Sequence, residues 1–235
     1  MITAARIPSV MPADGAPVAT HLPASPPARA LRRLAGVGLI ACLCAGLALF
    51  ARYSLRDNLW PRNAGTVAQG EVYRSGRLTP AATHTLADRF GLRTIIDLGA
   101  YRDDPSRERL AQRTAEALGA RRVTFQDLEG DGVGNPQSYV RALRLMADPA
   151  AQPVLVHCSA GSERTSVASM LYLRLTRGVA FDDSYSSQAI DHKHRPARNP
   201  RLRLYLDRWG DMIVEAARTG RDLTVPPEQW HQLPG

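Results

Sequence analysis

Lysine is almost missing from this chain: Lys193 is the only one, among thirty basic residues that give a formal net charge of +8. Arginine suits bidentate grips on phosphate and carboxylate, although a GC-rich coding sequence produces the same skew. No basic run is interleaved with aromatics, and no finger or basic-zipper spacing occurs, so a nucleic-acid partner is not expected. Cysteine is scarce too. Cys42 and Cys44 sit together in an apolar run and Cys158 stands far from both, which leaves neither a disulfide framework nor a metal-ligand spacing. No metal and no cofactor is expected. With 235 residues, two full domains are not expected either.

Long hydrophobic runs are absent with one exception. Leu34 to Ala51 is uncharged for eighteen residues, flanked by Arg29, Arg32 and Arg33 before and by Arg52, Arg56 and Arg62 after. That length just suffices for a tilted transmembrane helix. A cleaved signal peptide fits less well because no small-x-small site comes after the run. Leu39-Ile40-Ala41-Cys42 resembles a lipoprotein box, yet the apolar sequence continues past Cys42. A single uncleaved anchor is therefore expected, in a bacterial inner membrane, with the arginines nearly balanced across it. A short N-terminal anchor that exports the chain beyond it would put the catalytic domain in the periplasm; a cytoplasmic placement would spare Cys158 oxidation.

The expected organisation is a disordered tail over residues 1–33, rich in Pro and Ala, the anchor over 34–51, a linker over 52–65, one domain over 66–217 and a C-terminal tail over 218–235. Within the domain, short apolar runs alternate with helical patterns, the signature of an α/β fold whose central, mostly parallel sheet is flanked by helices. Helices are expected from Thr79-Pro80 to about Arg89, from Pro105 to Leu118, from Pro136 to about Met146 and from Pro200 to Arg218. Strands are expected at 94–98, 122–125 and 153–156, the last ending on His157-Cys158.

A reactive residue at the carboxyl end of a central strand is where open α/β sheets bind ligands. Residues 157–166 read His-Cys-Ser-Ala-Gly-Ser-Glu-Arg-Thr-Ser. A loop closing from strand to helix can turn its backbone N–H groups inward as an anion nest, with the helix N-terminus adding positive potential. Gly161 permits the curl. The same field favours a Cys158 thiolate over a thiol. Arg164, with five residues between it and Cys158, can return its guanidinium to hold two phosphoryl oxygens, and the Thr165 hydroxyl is placed to bond the sulfur. A buried inert cysteine is the commoner fate of a lone Cys; here strand, His-Cys, Gly, Arg-Thr and an amphipathic helix (Val167, Met170, Leu171, Leu175) coincide.

His-Cys-x5-Arg-Thr resembles the signature loop of the protein tyrosine phosphatase superfamily, on its dual-specificity side. Val72-Tyr73-Arg74-Ser75-Gly76-Arg77-Leu78 and Gly91-Leu92-Arg93-Thr94-Ile95-Ile96-Asp97-Leu98 are similar to bacterial and Siw14-like members, over about residues 66–215. The resemblance implies a metal-free hydrolase acting on phosphotyrosine, with phosphoserine and phosphothreonine as further substrates, through a phosphocysteine on Cys158. It also implies that Ser159, Ala160, Gly161, Ser162, Glu163 and Arg164 cradle the phosphate, with His157 and Thr165 in support. The family's acid precedes the cysteine by about thirty residues on a mobile loop. Asp131, between Gly130 and Gly132, is favoured over Asp127, although an Asp beside glycine is ordinarily a turn residue.

Ser166 stands where relatives carry Gly, which bears on how the loop packs on its helix. Gly99 comes after Asp97-Leu98 where bacterial relatives carry Arg, so that Arg102 becomes the substitute partner for Asp97. The loop lacks lysine, unlike phosphoinositide-preferring members. Asp191-His192-Lys193-His194-Arg195-Pro196 reads either as a solvated loop or as a substrate or water contact, with two histidines too few for a metal site. Expected partners are a phosphorylated protein or small phosphomonoester and the membrane. The alternatives are a phosphatase for a phospholipid, sugar phosphate or inositol phosphate, and a phospho-binding pseudophosphatase.

Overall fold

The computed structural model describes residues 28–51 and 61–233, with side chains of the first segment from residue 37 onward. The chain divides into two units between Leu47 and Ala48. The first contains most of helix α1 (Ala28–Phe50); its start makes residues 28–33 of the expected tail helical, and residues 1–27 lie outside the described residues. Among the described residues, no helix is long and apolar enough to cross a membrane. The expected anchor at 34–51 lies partly outside the residues whose side chains are described.

The second unit carries a five-stranded sheet in the order β1-β2-β5-β3-β4. The strands are β1 (Gly65–Ala68), β2 (Val72–Ser75), β3 (Thr94–Asp97), β4 (Arg121–Thr124) and β5 (Val154–His157). β1 pairs antiparallel with β2 at one edge, whereas β2–β5, β5–β3 and β3–β4 are parallel. The sheet is thus mixed but mostly parallel, and the β1–β2 hairpin is an element beyond those expected from the sequence. Its helices are α2 (Pro80–Phe90), α3 (Pro105–Ala117), α4 (Pro136–Ala147), α5 (Arg164–Arg177), α6 (Phe181–Tyr185) and α7 (Arg201–Thr219), with a π-helical turn at Ser186–Ile190 between the last two.

Local chemistry explains the helix boundaries. Thr79 caps α2 by accepting the Ala82 N–H at 3.1 Å, and Asn135 caps α4 by accepting that of Gln137 at 3.0 Å; in both, the first helical residue is a proline that needs no N–H donor there. Gly91, at φ 61°, ends α2 in the left-handed conformation.

Successive residues of a strand face opposite sides, and both sides of this sheet are covered. Tyr73, Ile95 and Leu155 face Leu86, Leu92 and Ala115 on the α2–α3 side. Val72, Ile96, Val154 and Val156 face the larger cluster built with α4, α5 and α7, which includes Leu143, Met170 and Trp209. Each fully buried Leu or Ile contributes about 1.5–3 kcal/mol.

Two boundaries of the expected organisation are corrected. Residues after 217 are not a tail: Leu223, Val225 and Leu233 pack against the core, and the Leu223 N–H donates to Gln137 Oε1 at 2.6 Å. These side chains are apolar and gain by leaving water. The linker expected over 52–65 also ends early, because Pro61 is buried and the Arg62 carbonyl accepts the Gly76 N–H at 2.6 Å.

Candidate active site

β5 delivers His157 and Cys158 to the carboxyl edge of the sheet, and α5 begins at Arg164, so the intervening loop must close within five residues. Cys158 is 2% exposed and receives the Gly161 N–H at its Sγ at 3.2 Å. Gly161 has φ +74°, and a Cβ there would fall 2.7 Å from the Gly76 nitrogen; only glycine fits this curl against β2.

Four successive loop carbonyls are held from outside. Ser159 O accepts the Arg77 N–H at 3.0 Å, Ala160 O accepts Asn63 Nδ2 at 2.9 Å, Gly161 O accepts Arg74 Nη2 at 2.7 Å, and Ser162 O accepts the Ser166 hydroxyl. In a trans peptide each carbonyl points opposite to the next N–H. Fixing these oxygens outward therefore turns the amides of Ala160, Gly161, Ser162 and Glu163 inward, which is the geometry of an anion nest.

Arg164 is 6% exposed. Its Nη1 donates to the carbonyls of Leu98 and of Gly99, the latter at 2.7 Å, while its Nε has no partner among the described residues. The guanidinium is thereby clamped along one edge. It lines a cavity of about 360 Å³ with Arg77, Gly99, Tyr101, Gly130 and Ser159. A buried donor without a partner, on a side chain that lines a cavity, is suited to a phosphoryl oxygen.

Thr165 is fully buried, and its hydroxyl donates to Ser75 O at 3.5 Å, so the sulfur's described partner is the Gly161 amide rather than Thr165. His157 is buried and lies 3.9 Å from Asp97 through Nε2. Burial holds it below the usual histidine range, against the pull of Asp97. The partner of Asp97 is Arg122 at 2.5 Å, not Arg102. Arg122 lies on β4, the strand next to Asp97 in the sheet, a juxtaposition invisible in the linear sequence. Asp97 also accepts the Ala100 N–H at 2.6 Å, shaping the turn whose Leu98 and Gly99 carbonyls hold Arg164.

The two candidate acids occupy different settings. Asp127 accepts from Asn135 Nδ2 at 2.8 Å and from Ser138 Oγ at 2.7 Å, at the start of α4. Asp131 bonds the Val133 N–H at 3.2 Å and pairs with Arg201 Nη1 at 2.7 Å. The turn carrying it is tied down by Tyr139, whose hydroxyl donates to Gly132 O at 2.8 Å, and by Tyr205, which donates to Gly134 O at 3.0 Å. Gly130 reaches the cavity. Glu163 accepts Asn199 Nδ2 at 3.1 Å and lies 3.7 Å from His194, which is 3% exposed. The Asp191–Arg195 segment is therefore docked behind the loop through His194 and is not simply a solvated loop. Among the described residues no group of His, Cys, Asp or Glu could hold a metal ion.

Asn63, Arg74 and Arg77 are loop supports that no sequence pattern marks as such. The Val72–Leu78 segment carries a family resemblance, but nothing in it says that Arg74 would reach under a loop 87 residues away.

Residues 58–183, more than half of the chain, match the profile of the tyrosine phosphatase family. No curated protein matches the chain. Among solved structures, the core catalytic domain of the PP-IP phosphatase SIW14 from S. cerevisiae is 24% identical, with a TM-score of 0.51 over 68% of this chain and 94% of that one. TpbA from P. aeruginosa, solved with pTyr, is 18% identical, with a TM-score of 0.52 over 67% and 91%. PTPMT1 in complex with PI(5)P is 15% identical, with a TM-score of 0.51 over 66% and 98%. These likenesses concern the fold. With a cysteine at the start of this loop, an arginine at its end and a profile spanning loop and sheet, this chain belongs to the tyrosine phosphatase family of cysteine-based phosphatases.

Proposed function

We propose that this protein hydrolyses phosphomonoesters, with phosphotyrosine as the leading substrate and phosphoserine and phosphothreonine as further ones. The carrying observation is the outward fixing of four carbonyls around Cys158. The Cys158 sulfur attacks phosphorus, and the P–O bond to the leaving group breaks while that oxygen takes a proton from Asp131. Water then attacks the phosphocysteine, the P–S bond breaks, and the water's proton returns to Asp131. Throughout, the inward amides and the Arg164 Nε edge bind the equatorial oxygens, stabilising charge as it shifts.

Asp131 is preferred because it has one strong partner, Arg201, which it can exchange for a leaving oxygen; Asp127 is locked into the α4 start. In Asp131→Asn, kcat for an aryl phosphate falls by on the order of 10²-fold. In Asp127→Asn, kcat holds and stability falls by about 1–2 kcal/mol. Steady-state kinetics and thermal melts of both variants check this, and the reverse pattern would reassign the acid.

One observation favours the second reading, a phospholipid, sugar phosphate or inositol phosphate. A groove of about 670 Å³ adjoins the cavity through Arg77, Tyr101 and Ser159; Leu78, Pro80 and Leu110 supply apolar walls, and Arg62 and Arg107 supply charge. The deciding experiment incubates the purified full chain, in detergent and chelator, with an aryl phosphate, a phosphotyrosine peptide and a phosphorylated lipid, and reads released phosphate. Turnover of the peptide in chelator is expected. Peptide binding with no turnover of any of the three would mean a phospho-binding module instead.

The same proposal includes a single-pass anchor at residues 34–51, in a bacterial inner membrane with the catalytic domain in the periplasm. Seven large apolar side chains from Val37 to Phe50 are 54–66% exposed, which supports it. The full chain should remain with membranes through an alkaline carbonate wash and leave them when residues 34–51 are deleted; release of the full chain by the wash would rule the anchor out.

A further inference from the structure

Arg74 holds one of the loop carbonyls, but the mechanism above gives its charge no role. It sits on β2 and is 1% exposed, yet none of its partners is a carboxylate. Nη1 donates to Gln188 O at 2.5 Å and lies 3.2 Å from Gln188 Oε1. Nη2 donates to Gly161 O at 2.7 Å and to Ser166 Oγ at 3.0 Å. A buried cation with only neutral partners is costly, and folds keep one where an anion offsets it.

Cys158 adjoins the very loop residue that Arg74 holds. The residue whose carbonyl Arg74 holds, Gly161, donates its own N–H to Cys158 Sγ, so a single residue links cation and sulfur. The charged or titratable groups that act on Cys158 are Arg74 from β2, Tyr139 from α4 and His157 beside it on β5, with Arg164 from α5 acting in turn on Tyr139 and His157. Burial brings the Arg74 guanidinium down to about 10, with the Cys158 charge pulling it back up. His192, near Arg74, is pushed to about 4 by burial and then by that cation; at neutral pH it is uncharged and adds no countercharge. Ser166 joins this cluster: its hydroxyl is 2.5 Å from Gln188 O and also lies against Ser162 O. The π-helical turn that presents Gln188 is the kind of local irregularity that gathers at functional sites.

We propose that Arg74 is a positioning residue for this phosphatase, acting as the buried countercharge of the Cys158 thiolate and, through the Gly161 carbonyl, as the group that turns the Ser162 amide toward phosphate. This rests on the phosphatase reading, but its test does not use turnover. Alkylation of Cys158 by iodoacetamide is followed by mass spectrometry across pH in the full chain, with Cys42 and Cys44 as internal references. Inorganic phosphate is the protecting ligand, and the proteins are wild type, Arg74→Gln and Arg74→Lys.

In Arg74→Gln the alkylation midpoint should rise by about one pH unit. In Arg74→Lys, which keeps the charge and loses the two-pronged grip, the midpoint should stay within about 0.3 units while phosphate protection weakens about tenfold. An unchanged midpoint in an Arg74→Gln protein that melts cooperatively would overturn the proposal, as would wild-type phosphate protection in Arg74→Lys. Should Arg74→Gln fail to melt cooperatively, the protection constant of Arg74→Lys decides alone. Wild-type protein inert toward every phosphoester but showing this Arg74 dependence would sink the phosphatase reading and leave the Arg74 role standing.

Discussion

In Cys158→Ser, phosphate release from an aryl phosphate should fall by at least about 10⁴-fold, the scale on which losing a covalent nucleophile acts. The substitution changes one atom in a side chain that is 2% exposed, so volume and packing are nearly preserved. The thiolate is lost: a serine hydroxyl stays protonated, and the inward amides of Ala160 to Glu163 have no anionic nucleophile to organise. Phosphate affinity should survive, because the four carbonyl anchors and Arg164 are untouched. A folded Cys158→Ser protein that binds a phosphotyrosine peptide without turning it over is therefore the expected result, read by calorimetry beside the kinetics. Residual turnover within about tenfold of wild type would exclude the phosphocysteine route.

Arg164→Lys should cost about 10²–10³-fold in kcat/KM while the melting temperature changes little, since the charge is kept. The reason is geometric. Nη1 is occupied by the Leu98 and Gly99 carbonyls, while Nε is buried without a partner among the described residues, in a side chain that lines the cavity; the proposed mechanism asks one planar group to hold the turn after β3 and the substrate at once. An ammonium can serve one of these at a time. If the turn carbonyls were the dominant partners, lysine would restore activity, so kinetics with a small aryl phosphate separate the two roles.

The reach of the sequence differs from element to element. α2 and α4 are legible to within a residue or two because Thr79-Pro80, Asn135-Pro136 and Gly91 are local signals, satisfied inside one turn. β3 and β5 are legible as short apolar runs. The β1–β2 hairpin is not, because Val72-Tyr73-Arg74-Ser75 carries two polar residues that are nonetheless buried. Nor is the docking of Leu223 and Val225, which depends on where α4 and α7 leave an apolar surface.

By itself the sequence determined the chemistry of the loop: cysteine after a strand, glycine where the chain must curl, arginine at the start of the next helix. These are short-range facts, since backbone conformation and helix start are settled over a few residues. Tertiary structure decided how that loop is held in the shape of an anion nest. The Arg74 and Asn63 side chains and the Arg77 backbone N–H come from 82 to 97 residues away to hold its carbonyls outward, and Arg122 reaches Asp97 only because β4 lies beside β3. Such contacts depend on strand order and side-chain reach, which no local pattern records, because a side chain's partner is fixed by the packing of the whole sheet.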